Sequence, residues 1–194
     1  MTSSSILYSV QTLLRSAIAP GDVVVDATAG NGRDTVFLAD CVGSSGVVYA
    51  FDIQEAALQA TASATSQHAA HVRLVHAGHH EMLSHVDPAH VGCVAAVVFN
   101  LGYLPGGDKA IVTTSETTIT GVEQALELLR PDGMLVVVCY KHDQGQREYE
   151  DLRTMLQAMS QHRASVLECN FINQVGNPPM AFVVVKQQSQ KERS

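Results

Sequence analysis

Apolar residues along this chain recur in short, Val-rich runs separated by longer mixed stretches. The runs are Val23 to Val25, Val47 to Phe51, Val72 to Val75, Val94 to Phe99, Met134 to Cys139, Ser165 to Phe171 and Ala181 to Val185. Bounded by turn residues, they read as strands of a sheet buried on both faces. Helix-like spacing fills most of the gaps, over Ser5 to Ala19, Thr35 to Cys41, Glu55 to His68, Ser115 to Leu129 and Arg147 to His162. Pro20-Gly21 stops the first helix, and Arg130-Pro131-Asp132-Gly133 forms a turn before the fifth strand. Only Asn173 to Met180 separates the last two strands, too short for a helical crossover, so they are antiparallel neighbours. The pattern predicts an α/β fold: a seven-stranded, mostly parallel, doubly wound sheet with an antiparallel final strand and helices on both faces.

Size and composition narrow the setting. A chain of 194 residues reads as one domain, expected over residues 1–186, with a polar tail from Gln187 to Ser194. The composition is 46% hydrophobic and 16% charged, and no apolar run approaches the roughly 20 residues that span a bilayer. The first residues lack a basic n-region and a small-residue cleavage site. Cys41, Cys93, Cys139 and Cys169 lie far apart without a C-x-x-C pair, which fits reduced thiols and a cytoplasmic protein. The net charge of −7 counts against a general phosphate-binding surface, although Arg33, Lys109, Lys141, Arg147 and Arg153 could build a local patch that a symmetric dimer would double.

Candidate chemistry begins at VVVDATAGNGRD, residues 23–34, which reads as a strand, a tight glycine turn and a helix start. Gly30 and Gly32 let the backbone pass close to a nucleoside. The next strand ends in Asp52, where a carboxylate can accept from both ribose hydroxyls of an adenosine. A dinucleotide fingerprint needs a third glycine where this chain has Thr35. Asp26, expected to face the ligand, would repel a pyrophosphate and suits the cationic amino acid end of S-adenosylmethionine (SAM). Charge thus favours SAM over NAD, and the predicted topology is that of class I SAM-dependent methyltransferases.

The acceptor side is expected where the fourth strand ends, at Asn100-Leu101-Gly102-Tyr103-Leu104-Pro105-Gly106-Gly107-Asp108. The carboxamide oxygen of Asn100 can accept from an acceptor amine N–H, and Tyr103 can stack on a planar base. The stretch is similar to the N/D-P-P-Y/F segment of amino-methylating enzymes, with Leu101-Gly102 in place of the prolines. Tyr140, Lys141 and His142 follow the fifth strand on the same edge, and His142 is the first candidate for the base. Seven of the nine histidines fall between His68 and His90. His76 and His80 would share a face only in a helix, and there is no H-E-x-x-H, so no metal is expected. His79 is placed beside the adenine instead.

The chain resembles the YtqB/MnmM-like methyltransferases, a family labelled as rRNA methylases. The resemblance is carried by Asp26-Ala27-Thr28-Ala29-Gly30-Asn31-Gly32 with Asp34-Thr35 and Phe37-Leu38-Ala39, by Phe51-Asp52-Ile53-Gln54, and by Asn100 to Lys109. Thr117-Thr118-Ile119, Tyr140 with His142, and Asn173 with Asn177-Pro178-Pro179 continue it. It implies a small dimeric enzyme that methylates the exocyclic amine of 5-aminomethyl-2-thiouridine at the tRNA wobble position. On the residue pattern and the likeness together, Asp26, Ala27, Thr28, Gly30, Asn31, Gly32, Asp34, Thr35, Asp52, Ile53, Gln54, His79 and Asn100 are expected to hold SAM. Tyr103, Pro105, Asp108, Lys109, Tyr140, Asn173 and Asn177 meet the substrate, the anticodon loop of a tRNA. Tyr140-Lys141-His142-Asp143-Gln144-Gly145 departs from the family's Y-x-G-H-x-x-G by being one residue shorter. An rRNA or small-metabolite methyltransferase, a non-catalytic nucleoside-binding module and an NAD-dependent oxidoreductase stay open as other readings.

Overall fold

The computed structural model describes residues 5–102, 104, 113–140 and 144–188. The strands are β1 (Val23–Asp26), β2 (Val47–Asp52), β3 (His71–His76), β4 (Val94–Asn100), β5 (Leu129–Cys139), β6 (Ala164–Cys169) and β7 (Met180–Lys186). The helices are α1 (Ile6–Ala17), α2 (Arg33–Val42), α3 (Glu55–Thr65), α4 (Met82–His85), α5 (Ser115–Leu128) and α6 (Gln144–Ala158). The strands form one sheet in the order β3-β2-β1-β4-β5-β7-β6. β1 to β5 run parallel, and β7 pairs antiparallel with both β5 and β6. The expected fold class is what the chain adopts.

Alternation along the strands divides the core between the two faces of the sheet. Val25, Phe51, Val97, Phe99, Val137 and Phe182 pack with Met82 of α4, Val122 and Leu126 of α5, and Leu152 and Leu156 of α6. Their neighbours Val24, Val48, Val98, Val136 and Val183 pack on the other face with Ile6, Val10 and Leu14 of α1 and Phe37, Leu38 and Val42 of α2. Ile6, Val10 and Leu14 stand four residues apart, the spacing of one helical stripe. α1 ends at Ala17, two residues before the expected stop, with Ile18 already extended. The Arg130-to-Gly133 turn survives as a bulge within β5: the pairing with β4 shifts between Val94 and Ala96, and Asp132 takes a positive φ of 62°. The turns and the four-residue α4 between β3 and β4 were not expected. They are shorter than the window over which helical spacing can be recognised.

None of the four cysteines forms a disulfide, and among the described residues no helix is long and apolar enough to cross a membrane. The order of strands reverses between β1 and β4. The chain leaving β1 turns to α2 on one face of the sheet and the chain leaving β4 to α5 on the other, which opens a crevice above the carboxyl ends of the strands.

Candidate active site

A cleft of about 440 Å³ opens at this reversal, within the size range of small-molecule sites. Its floor is the chain from Ala27 to Asn31 after β1, and its walls come from Asp52 to Gln54, Ala77 to His80, Asn100 to Gly102, Leu104 and Tyr140. Leu7 of α1, Arg33 and Asp34 of α2, and Thr113, Thr114 and Thr117 around the start of α5 complete it.

The glycine turn is fixed from below. Gly30 and Gly32 take φ of 53° and 78°, a region costly for any residue with a Cβ. Crowding adds a second constraint at Gly32, where a Cβ would lie 2.9 Å from Thr61 Cα in α3. Asp26, expected to face the ligand, is fully buried and does not line the cleft. Its Oδ1 accepts from the Thr28 N–H at 3.1 Å and its Oδ2 from the Thr35 hydroxyl at 2.6 Å. It ties the strand end to the first turn of α2, and burial, with Asp34 nearby, pushes its pKa up to about 7. Thr35 is buried beside it, and Gly32 likewise shapes the turn without lining the cleft. Asp26, Gly32 and Thr35, expected to hold the ligand, thus stand beneath the loop and not on the cleft wall.

Asp52 stands where an adenosine ribose is held in such sheets. Its Oδ2 accepts from the Gly30 N–H and its Oδ1 from the Gln54 N–H, both at 2.9 Å. Each oxygen retains a lone pair directed elsewhere, the acceptor pair that vicinal hydroxyls require. The flanking Ile53 side chain is half exposed over the cleft.

On the opposite wall Asn100 is held by three bonds. Its N–H donates to the Thr28 hydroxyl at 2.7 Å, which joins the ends of β1 and β4. Its Nδ2 donates to Asp34 Oδ2 at 3.0 Å, and its Oδ1 accepts from the Tyr140 hydroxyl at 3.1 Å. The amide is thereby locked in one orientation. Burial raises the Asp34 pKa, against which the bonds from Asn100 and Gln11 and the charge of Arg33 act. Burial, and then the charge of Asp34, raises that of Tyr140. Neither the Asp34 link nor the Tyr140 link was read from the sequence, because the partners lie 66 and 40 residues from Asn100.

His79 lines the cleft and is wedged against Phe99, with ring centroids 5.3 Å apart. α5 approaches it over Gly121, where a Cβ would lie 2.9 Å from His79 Cδ2. Its Nε2 is buried without a hydrogen-bond partner, and burial pushes its pKa down to about 4. A neutral imidazole with one orphan nitrogen at a cleft wall is a ready partner for a heterocyclic ligand. His76 instead donates to the Ile53 carbonyl at 3.0 Å. Among the described residues no three potential metal ligands gather.

Asn173 and Asn177 lie on the exposed loop between β6 and β7 and do not line the cleft. The loop emerges at the same edge of the sheet, since β6 runs parallel to β1 through its antiparallel neighbour β7. Tyr103, Pro105, Asp108, Lys109 and His142 lie outside the described residues. Glu148, missed in the sequence, is buried in α6 and accepts from the Thr113 hydroxyl at 2.9 Å and the Thr118 hydroxyl at 2.6 Å. Thr113 in turn accepts from the Gly102 N–H at 3.2 Å, so Glu148 anchors the wall of the cleft. Its place four residues before Leu152, on the inward stripe of α6, was the available signal.

Strand order, the reversal between β1 and β4, and an acid-lined, nucleoside-sized cleft at that reversal define the class I SAM-dependent methyltransferase fold. Within that class, the family model described as "Putative rRNA methylase" matches residues 48–185, and the chain belongs to this family. An Arabidopsis thaliana protein named tRNA (mnm(5)s(2)U34)-methyltransferase, chloroplastic, is 40% identical over 141 residues, covering 68% of this chain and 51% of that protein. The chain therefore spans about half the length of this relative. A Clostridium thermocellum protein of the same rRNA-methylase description superposes with a TM-score of 0.89 at 39% identity, over 96% of this chain and 100% of the other. A Streptococcus mutans protein solved in complex with SAH superposes with a TM-score of 0.83 at 29% identity, over 96% and 99% of the two chains.

Proposed function

We propose that this protein is a SAM-dependent methyltransferase that acts on RNA and N-methylates the aminomethyl group of 5-aminomethyl-2-thiouridine at the tRNA wobble position. The observation that carries the reading is the pairing, across one cleft, of a ribose-type carboxylate at Asp52 with an immobilised amide at Asn100. The 40% identity to a protein named for this wobble modification supports the choice of nucleoside. When bound, SAM supplies a methyl group on a cationic sulfur.

The residues present fit that group. Asp52 would accept from the ribose hydroxyls, and Gly30 and Asn31 would pass beneath it. The charged side chains of the described cleft wall, histidines apart, are Asp34, Asp52 and Arg33, a net negative lining that favours cationic ligands. Asn100 Oδ1 would receive an N–H of the acceptor amine and fix the direction of its lone pair. Positioning of that kind supplies most of what an in-line displacement needs.

A net charge of −7 agrees with contact confined to an anticodon loop, where unstacked bases are read by stacking and edge contacts with few phosphates engaged. The reading extends to one domain over residues 1–186, a polar tail after it, a homodimer that joins two copies of the surface around the cleft, and a role for the Asn173 and Asn177 loop in meeting RNA.

Two substitutions separate the two walls. Asp52→Ala is expected to weaken SAM binding about 10- to 100-fold in calorimetry, from the loss of charge-assisted bonds each worth about 1.5–3 kcal/mol. Asn100→Ala is expected to leave that affinity within about threefold and to lower kcat about 100-fold. Equal losses of SAM affinity in the two variants would contradict the assignment of separate walls.

A further inference from the structure

An aminomethyl acceptor is an ammonium at neutral pH and has no lone pair to offer, so the site must remove a proton before the methyl can move. We infer that Asp34 accepts this proton and that Asn100 is the positioning residue that holds donor and acceptor in register. The inference rests on the amine reading of the substrate given above.

Asp34 lines the cleft in the first turn of α2, and its Oδ2 is 3.0 Å from the amide nitrogen of Asn100, the side chain whose other end faces the acceptor. Its other hydrogen bond among the described residues is a long one of 3.5 Å from Gln11 to Oδ1, which leaves lone pairs for a further N–H. Among the described residues, the tyrosine, the buried histidine and the other carboxylates at or near the cleft are engaged or unsuited. Tyr140 already donates its hydroxyl proton to Asn100, and burial together with the charge of Asp34 holds that proton more firmly than in an ordinary phenol. His79 is a weak base, since its protonated form is disfavoured by burial. Both oxygens of Asp52 hold backbone N–H groups on the opposite wall. Asp26 and Glu148 are buried away from the cleft with their oxygens bonded to threonines.

The step balances without a further reactant. An N–H bond of the ammonium breaks, its proton goes to a carboxylate oxygen of Asp34, and the bonding pair stays on nitrogen. That pair forms the new N–C bond as the C–S bond breaks, and the electrons of the latter remain on sulfur, which becomes a neutral thioether. The nitrogen now carries the positive charge as a secondary ammonium, and Asp34 releases its proton to solvent. Burial favours the accepting step, because a desolvated carboxylate binds a proton more readily than an exposed one. The groups that face Asp34 are Arg33 on its own helix, Gln11 of α1, Asp26 of β1, Asn100 of β4 and Tyr140 after β5. Of these, Tyr140 remains neutral over the range of the test.

The test uses the full chain, SAM and an anticodon stem-loop bearing the aminomethyl nucleoside. Asn at position 34 can keep its carbonyl toward Asn100 Nδ2, so Asp34→Asn preserves the bond while it removes the base. SAM affinity is expected to stay within about threefold, kcat at pH 7 to fall about 100-fold, and the residual rate to rise about tenfold per pH unit as the free amine becomes available. Tyr140→Phe is expected to lower the rate while it keeps the wild-type pH profile. Carboxyl NMR of the cofactor-free wild-type protein gives a readout independent of turnover and of the variant's folding, with Asp34 expected to titrate above the ordinary aspartate range. A pH-independent deficit in Asp34→Asn, a lost SAM affinity with a wild-type rate at saturation, or an Asp34 resonance that titrates in the ordinary range would overturn the assignment. Wild-type protein that binds SAM but leaves the stem-loop unmodified would overturn the substrate reading and the assignment with it.

Discussion

Single side chains at the sheet's reversal divide into those that hold the loop and those that face the cleft, and the sequence shows only that both kinds are present. Asp26 and Asp52 each end a Val-rich strand, and nothing in their local sequence says which one meets a ligand. The difference comes from Thr28 and Thr35, which fold back onto Asp26, while among the described residues Asp52 accepts from two backbone N–H groups. Burial of Asp26 has a measurable consequence for stability. Its pKa rises from an ordinary 3.8 to about 7, so the folded state binds the proton more tightly than the unfolded chain. That contribution is fully present below pH 3.8 and is lost as pH rises through about 7. Asp26→Asn, which keeps a carbonyl for the Thr28 N–H, is expected to gain on the wild type across this interval, by on the order of 1–3 kcal/mol at pH 8 relative to pH 4. Thermal unfolding of both proteins across pH measures it. A difference in Tm that is the same at both ends would show that Asp26 ionises normally.

At the scale of elements, the central strands were legible because burial on both faces forces unbroken apolar runs, whereas the edge strands β3 and β6 are largely exposed, against the expectation of burial on both faces, and β5 starts at Leu129, well before the expected Met134. Helix starts were read late: α2 begins at Arg33 and not Thr35, and α6 at Gln144 and not Arg147, since polar first turns carry no apolar stripe. The side-chain links across the cleft were illegible for a different reason. Asn100 with Asp34, and Glu148 with Thr113 and Thr118, are contacts between elements far apart in sequence, and only the sheet order brings them together. The packing of α2 against α3 gives the element-scale prediction. At Gly32 a methyl group would meet the α3 backbone at 2.9 Å while φ stays at 78°. Gly32→Ala is expected to destabilise the fold by about 2–3 kcal/mol in denaturant unfolding and to weaken SAM binding, because the turn beneath the ligand must shift with α3. An unchanged midpoint would mean that α3 moves aside freely.

For the molecule as a whole, the same sheet serves many transferases, so the fold alone names a cofactor class and not an acceptor. What narrows the acceptor is the acid-lined cleft with Asn100 fixed at its wall, joined to membership of the rRNA-methylase family and to a relative named for wobble-uridine methylation. On the proposed function, a net charge of −7 is expected to keep the RNA contact local and to favour bases over phosphates. The measurement that addresses this most directly is nucleoside mass spectrometry of tRNA carrying 5-aminomethyl-2-thiouridine, after incubation with the protein and SAM. The expected result is a gain of one methyl group on that nucleoside, and none on the same tRNA lacking the aminomethyl group. An unmodified wobble nucleoside, with the methyl recovered on rRNA or on a small metabolite, would contradict it.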